Sequence, residues 1–371
     1  MVQPVVYFPE PDPPDLTRPR WGERPLDWYA RSSRPEAREV RKFLNRTLAH
    51  FPEKDARAYV GKLRQDWQSF YFELIVGRYL QVLGADILPN AKGNNGTDID
   101  FRATFPDGVV VSVECVSKKY NQEAQTEIDR NADMANMLDE VGPHLWAISF
   151  RTLPKAMTTA EFQPYVDRAT EFYATLPTAV DGGDHIPYEW MGEHGLMRLK
   201  ALPFPRGTRA NHMGAGVSWV DDSILRLKDA LIDSHKRKQA RGAYPPVFLA
   251  IDCPFNGPDA EDFDGALFGT SVDHRGFELH ESVGESFRPD GMLVTDKDIP
   301  FAGVIAFLGM RITQAADPVL YLNPYQRWKL PAALAAHETR VWTSRIDVTP
   351  ATREPVINSL GFIEYPPEED D

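Results

Sequence analysis

The apolar positions along this chain change period several times, and each change predicts an element. Residues 56–83 carry Val60, Leu63, Trp67, Phe70 and Leu74 on one stripe at helical spacing, which predicts a long helix that stops at Gly84. A shorter helix, from Pro35 through Arg41 to Leu48, precedes it. After a short strand at 86–88 and a polar loop at 90–96, the period falls to two. Asp98-Ile99-Asp100-Phe101-Arg102 and the run 109–116, joined by Pro106-Asp107-Gly108, read as a hairpin. Ile128, Met134 and Met137-Leu138 then return at near-helical spacing, and 145–150 reads as a buried strand. Further along, 159–174 and 222–237 read as helices, and 246–252, 291–294, 304–308 and 319–322 as strands. The Gly-rich, polar stretch 181–217 reads as an insertion or loop. Alternation of this kind predicts a mixed α/β sheet with helices on both sides.

The hairpin is where the pattern acquires chemistry. A three-residue turn ending in glycine sets Phe105 opposite Val109, so Asp100 is expected directly across from Glu114. Parity sends Ile99, Phe101, Val111, Val113 and Cys115 to the core face. It sends Asp98, Asp100, Arg102, Ser112, Glu114, Val116 and Lys118 to the other. Like charges directly opposite destabilise a sheet, and a hard divalent cation of the Mg²⁺ or Mn²⁺ kind would neutralise them. A solvated face, with the acids paired by Arg102 and Lys118, is the plain alternative. Glu73, in the run FYFELIV at the edge of the helical stripe, is expected to snorkel to solvent rather than meet a buried partner.

Composition narrows the classes. The 371 residues are 42% hydrophobic and 26% charged, as in globular proteins, and no apolar run is long enough to span a bilayer. The N-terminus lacks the basic and apolar regions of a signal peptide, which predicts a cytoplasmic protein without membrane partners. Two cysteines, Cys115 and Cys253, lie outside any CxxC pair and read as buried thiols. The net charge of −13 argues against indiscriminate coating of nucleic acid. Local contact stays open through two basic clusters, one at Arg31, Arg34, Arg38, Arg41, Lys42 and Arg46, the other at 235–238 with Arg241, although a solvated face explains either. Asp184-His185 with Glu189 and Glu193-His194 lacks the HExxH spacing, and no nucleophile elbow or phosphate loop is present. The Pro-rich first thirty-five residues read as an extended arm, laid on the body by Trp21, Trp28 and Tyr29.

A helix with Glu73, a strand with Asp98 and Asp100, a strand with Glu114, then helix and strand, over 57–151, resembles the PD-(D/E)XK, or restriction-endonuclease-like, superfamily. The helix leading into Pro246-Val247-Phe248-Leu249-Ala250-Ile251-Asp252 and then Ala266-Leu267-Phe268-Gly269 also looks like a group of uncharacterised bacterial proteins with that fold. The resemblance implies an α/β protein with a restriction-endonuclease-like core at 53–152, an N-terminal arm and helix at 1–52, an α/β extension at 153–350 and a tail at 351–371. It implies Asp100 as the motif aspartate, Glu114 as the acid of the D/E-x-K element and Glu73 as the helix glutamate. With Asp98 these would hold Mg²⁺ or Mn²⁺. The motif lysine is replaced by Val116. Lys118, on the same strand face and roughly 7 Å further on, is the substitute, and Lys92 a weaker one. The implied activity is metal-assisted hydrolysis of a phosphodiester, in DNA rather than RNA, with Lys118 aligning the water. The competing reading is a catalytically inactive version of the fold that binds nucleic acid or a protein partner, and self-association is open.

Overall fold

A computed structural model of the chain describes residues 5–17, 23–94, 96–117, 146–152, 159–176, 186–203, 228, 239–254, 260–272, 286–288, 291–310, 317–326, 328–343 and 345–353. Its helices are α1 (Pro25–Arg31), α2 (Pro35–Leu48), α3 (Glu53–Gln65), α4 (Trp67–Val82), α5 (Thr159–Thr175), α6 (Ala260–Leu267), α7 (Met292–Thr295) and α8 (Ala332–Ala335). Its strands are β1 (Asp86–Lys92), β2 (Asp98–Thr104), β3 (Val110–Ser117), β4 (Trp146–Thr152), β5 (Ile186–Gly192), β6 (Gly195–Pro203), β7 (Val247–Pro254), β8 (Thr270–Val272), β9 (Ser286–Arg288), β10 (Gly303–Met310), β11 (Val319–Leu322), β12 (Thr339–Trp342) and β13 (Ile346–Thr349).

The chain divides into two compact units, one of Met1–Thr17, Pro25–Lys119 and Asp221–Asp371, the other of Arg18–Arg24 and Tyr120–Val220. The first holds an eight-stranded mixed sheet in the order β1-β2-β3-β7-β10-β11-β12-β13. The strands β3, β7 and β10 are mutually parallel neighbours, as are β11 and β12, and the remaining pairs are antiparallel. Alternation along the central strands sorts the core into two layers. Val113, Cys115, Phe248, Ala250, Ile305 and Phe307 pack with α2, α3 and α4. Leu249, Ile251, Val304 and Ala306 pack with Phe263 and Leu267 of α6 and Leu293 of α7. Gly77 brings α4 down on β2, since a Cβ there would stand 2.9 Å from the Phe101 ring.

The expected single helix over 56–83 is two. Asp66 leaves the helical region (φ −146°, ψ 89°), and its side chain accepts a bond from the Ser69 N–H, capping α4. The strand expected at 86–88 runs on through Lys92, and 291–294, expected as a strand, is a helical turn, a short apolar run being ambiguous between the two. The expected helix between 121 and 140 lies outside the described residues, as does that at 222–237 apart from Lys228, and a helical turn is described at 239–242.

The largest difference concerns β4. It belongs to the second unit, in a three-stranded antiparallel sheet β4-β6-β5, and the strand lying parallel beside β3 is β7. The span 53–152 therefore does not form one continuous core. Part of the region expected as loop, 181–217, is the β5-β6 hairpin, where the Tyr165 hydroxyl accepts from His194 N–H and donates to the Gly195 carbonyl, fastening the turn to α5. The Pro-rich arm does lie on the body: the Asn45 amide of α2 bonds to the Tyr7 and Phe8 N–H groups and the Phe8 carbonyl, burying Phe8. Among the described residues no helix is long and apolar enough to cross a membrane.

Candidate functional site

The turn of the β2-β3 hairpin forms as its residues require. Gly108 has φ +77°, its N–H donates to the Phe105 carbonyl, and the Phe105 N–H donates to the Val109 carbonyl. The register that follows pairs Thr104 with Val110 and Phe101 with Val113, as expected, and there it ends. One position further, the Cys115 N–H donates 2.7 Å to Oδ2 of Asp100 instead of to a β2 carbonyl. A strand N–H points within the sheet, so the Asp100 carboxylate lies in the gap between β2 and β3. The neighbouring strand bends at the same level, because Asn90 of β1, which falls across from Asp100, has φ +49°. Beyond this bend Ile99 packs in the α6 layer although Phe101 packs in the α4 layer. The simple parity reading of β2 fails at Asp100 for that reason.

Glu73 does not snorkel. It is 9% exposed, and Lys62 of α3 holds its ammonium 3.7 Å from Glu73 Oε2 and 3.2 Å from Asn90 Oδ1. That ammonium also stands 5.2 Å from the Tyr59 ring centroid and 4.9 Å from that of Phe70. Burial, then the charges of Glu73, Cys115 and Asp100, hold the Tyr59 phenol well above its ordinary pKa. Tyr59 thus marks a common neighbourhood of Glu73, Asp100 and Cys115, with Lys62 at its edge.

The other expected site residues lie differently. Glu114 is fully buried, and since Val113 and Cys115 belong to the α4 layer, its side chain turns to the opposite face of β3 with Val116 and Leu249. Asp98 is exposed and ion-paired with Lys92, its register partner. Lys118 lies outside the described residues, as do Asp184 and His185. Glu189 pairs with Arg198 at 2.8 Å. Among the described residues no three His, Cys, Asp or Glu side chains are grouped as a metal ion would need. Glu73 and Asp100 offer carboxylate oxygens, the ligand type a hard divalent ion takes, and among the described residues they belong to no group of three such side chains.

Further residues complete the surroundings. Gln239 donates from Nε2 to the Asp98 carbonyl, and Asn94 N–H bonds to the Gly242 carbonyl, so the helical turn at 239–242 is pinned against the β1-β2 loop. On the α4 layer, Asp252 and Ser117 stand side by side at the carboxyl ends of parallel β7 and β3, where open α/β sheets bind ligands. Ser117 donates to Asp252 Oδ2 at 3.0 Å, and burial pushes this carboxyl up to about 6 against the hydrogen bonds of Ser117 and Gln68. A separate cavity of about 660 Å³ at the carboxyl ends of β11 and β12 is lined by Tyr325, Trp328 and Trp342, but its amides, Asn323 and Gln326, already bond within the fold.

Lys62, Tyr59 and Asp252 were not singled out from the sequence. The helix spacing of Tyr59, Lys62 and Glu73 carried no sign of the break at Asp66 that lets α3 and α4 face each other. Comparison of the chain with family models, with curated proteins and with solved structures finds no match.

Proposed function

We propose that this chain is a divalent-metal-dependent phosphodiesterase acting on nucleic acid, DNA in the first instance, with a restriction-endonuclease-like core. The observation that carries this reading is that Glu73 of α4, with the Lys62 ammonium 3.7 Å from its carboxylate, and Asp100, which accepts from the Cys115 N–H, both act on the buried Tyr59 of α3. Read without the inserted 120–220 unit, the order is helix α4, antiparallel β1-β2-β3, then β7 parallel to β3, which supports this reading with β7 in the place the resemblance gives to 145–150. On this reading Mg²⁺ or Mn²⁺, when bound, would supply an activated water and charge stabilisation at the phosphate. Glu73 and Asp100 would hold it. Lys62 stands in for the lysine that Val116 replaces, orienting the attacking water and countering negative charge in the transition state.

A second reading has a specific observation in its favour. Glu114 faces away from the Glu73 neighbourhood and Val116 packs in the α6 layer, as in a fold of this kind kept for binding alone. Cleavage of plasmid and single-stranded DNA with Mn²⁺ separates the two. The nuclease reading expects cleavage that falls at least a hundredfold in Asp100→Asn and in Glu73→Gln, and at least tenfold in Lys62→Ala. Cleavage untouched by both acid substitutions would reject the site. DNA binding without cleavage, under any divalent metal, would establish the second reading.

A further inference from the structure

Asp252 is 6% exposed, and a carboxylate that deep is costly unless something holds it. Two side chains do so, from two elements. Ser117, its register partner on β3, donates 3.0 Å to Oδ2, and Gln68, in the first turn of α4, hydrogen-bonds to the same carboxyl. Glu73 lies about one and a half turns further along the same helix. Asp66 caps the start of this helix, and Trp67 packs on Tyr29 of α1 with ring centroids 5.6 Å apart.

We propose that Asp252 is a positioning residue for the candidate site, tying the first turn of α4 to the carboxyl ends of β3 and β7 and so fixing where Glu73 stands relative to Asp100. The proposal rests on the reading of Glu73 and Asp100 as the site's carboxylates. It extends that site to a third strand, β7, and makes its geometry depend on one proton. The groups facing Asp252 are Ser117 from β3, Gln68 and Tyr71 from α4, and Phe307, beside it in register, from β10. Tyr71 is held protonated by burial, and Asp252 adds to that effect. No lysine, arginine or histidine among the described residues opposes Asp252. Protonation near pH 6 therefore removes the negative charge and turns one of the two acceptor oxygens into an O–H donor, which weakens the tie to Gln68 and Ser117.

A double-mutant cycle between Asp252→Asn and Glu73→Gln, read by urea unfolding of the full chain at pH 8 and pH 4.5, tests this directly. The expected result is coupling of at least about threefold in the unfolding constant at pH 8, shrinking to additivity at pH 4.5, where Asp252 carries its proton. Coupling of equal size at both pH values, or additivity at pH 8, would overturn the proposal. A parallel cleavage assay with Mn²⁺ at pH 8 is expected to lose at least tenfold in Asp252→Asn, and a loss below twofold in an active enzyme would also overturn it. Coupling in a wild-type protein that cleaves nothing would sink the nuclease reading alone, leaving Asp252 as the group that positions Glu73.

Discussion

Asp252 and Glu73 are two acids that the fold buries for different local reasons, and their stabilities respond oppositely to what surrounds them. Glu73 has a cation close by, so Lys62→Met is expected to cost about 1 kcal/mol in urea unfolding, the modest figure appropriate to a pair whose lysine is partly exposed. Asp252 has none, and its folded pKa lies above the ordinary 3.8 at about 6. The folded state thus binds this proton more tightly than the unfolded state does. The stability so gained is fully present below about pH 4 and is lost as the pH rises through 6. Asp252→Asn is therefore expected to be more stable than wild type at pH 7.5 and no more stable at pH 4, which thermal melts at the two pH values would read. A residue that the protein keeps at a cost to stability is a candidate for function. Of these positions the sequence alone exposed Glu73, Asp100 and Glu114 by their charge in apolar runs. Asp252 was visible only as the last residue of a strand, because its burial depends on α4 crossing above it, a contact between segments nearly two hundred positions apart.

At the scale of elements, the junction at Asp66 decides the site. Were 56–83 one straight helix, Lys62 and Glu73, eleven residues apart and so about 16 Å along the axis, could not meet. The break folds α3 back on α4 and brings them to 3.7 Å. Asp66→Ala removes the side-chain acceptor of the cap and is expected to cost about 1 kcal/mol, with the Lys62 to Glu73 contact loosened, seen as a larger loss when the variant is compared in a Lys62 background than in Lys62→Met. Gly77 works on the same helix from the other side. Gly77→Val would drive a side chain into Phe101 and Phe51 and is expected to cost about 1–3 kcal/mol in chemical unfolding. The strands β7, β10 and β11 were legible from apolar runs because both their faces are buried. The pair β12 and β13 was not, since its positions are only half-covered and carry no clean alternation. The separation of β4 from the large sheet left no trace in its own sequence, because an apolar run reads the same whichever sheet it joins.

At the scale of the whole molecule, some charges join segments distant in the sequence. In the basic cluster at the start of the chain, Arg41 is 1% exposed and bonds to the Tyr29 and Ser32 carbonyls and to Glu10, Arg31 pairs with Asp15, and Lys42 with Glu39. Arg31 and Arg41 fasten the arm to the body, whereas the exposed Lys42 pairs within α2. Lys42→Ala is accordingly expected to leave DNA affinity within twofold in a filter-binding or anisotropy titration at fixed salt, whereas Arg41→Ala is expected to lower the melting temperature by several degrees. A buried network at the other end of α4 has the same character: the Tyr79 hydroxyl meets His337 Nε2 at 2.8 Å, and burial depresses the His337 pKa.

The insertion between β3 and β7 also sets a schedule for the growing chain. Ser117 and Val247 are 130 positions apart, yet the ladder between their strands seals the centre of the large sheet. At 5–20 residues per second a ribosome needs roughly 6–26 s to add the missing partner. Until then the β3 edge that β7 covers in the finished sheet, rich in valine, has backbone groups that lack this partner strand. Whatever occupies that edge while the 120–220 unit is being made, a chaperone or a temporary pairing within the chain, must leave before β7 can enter.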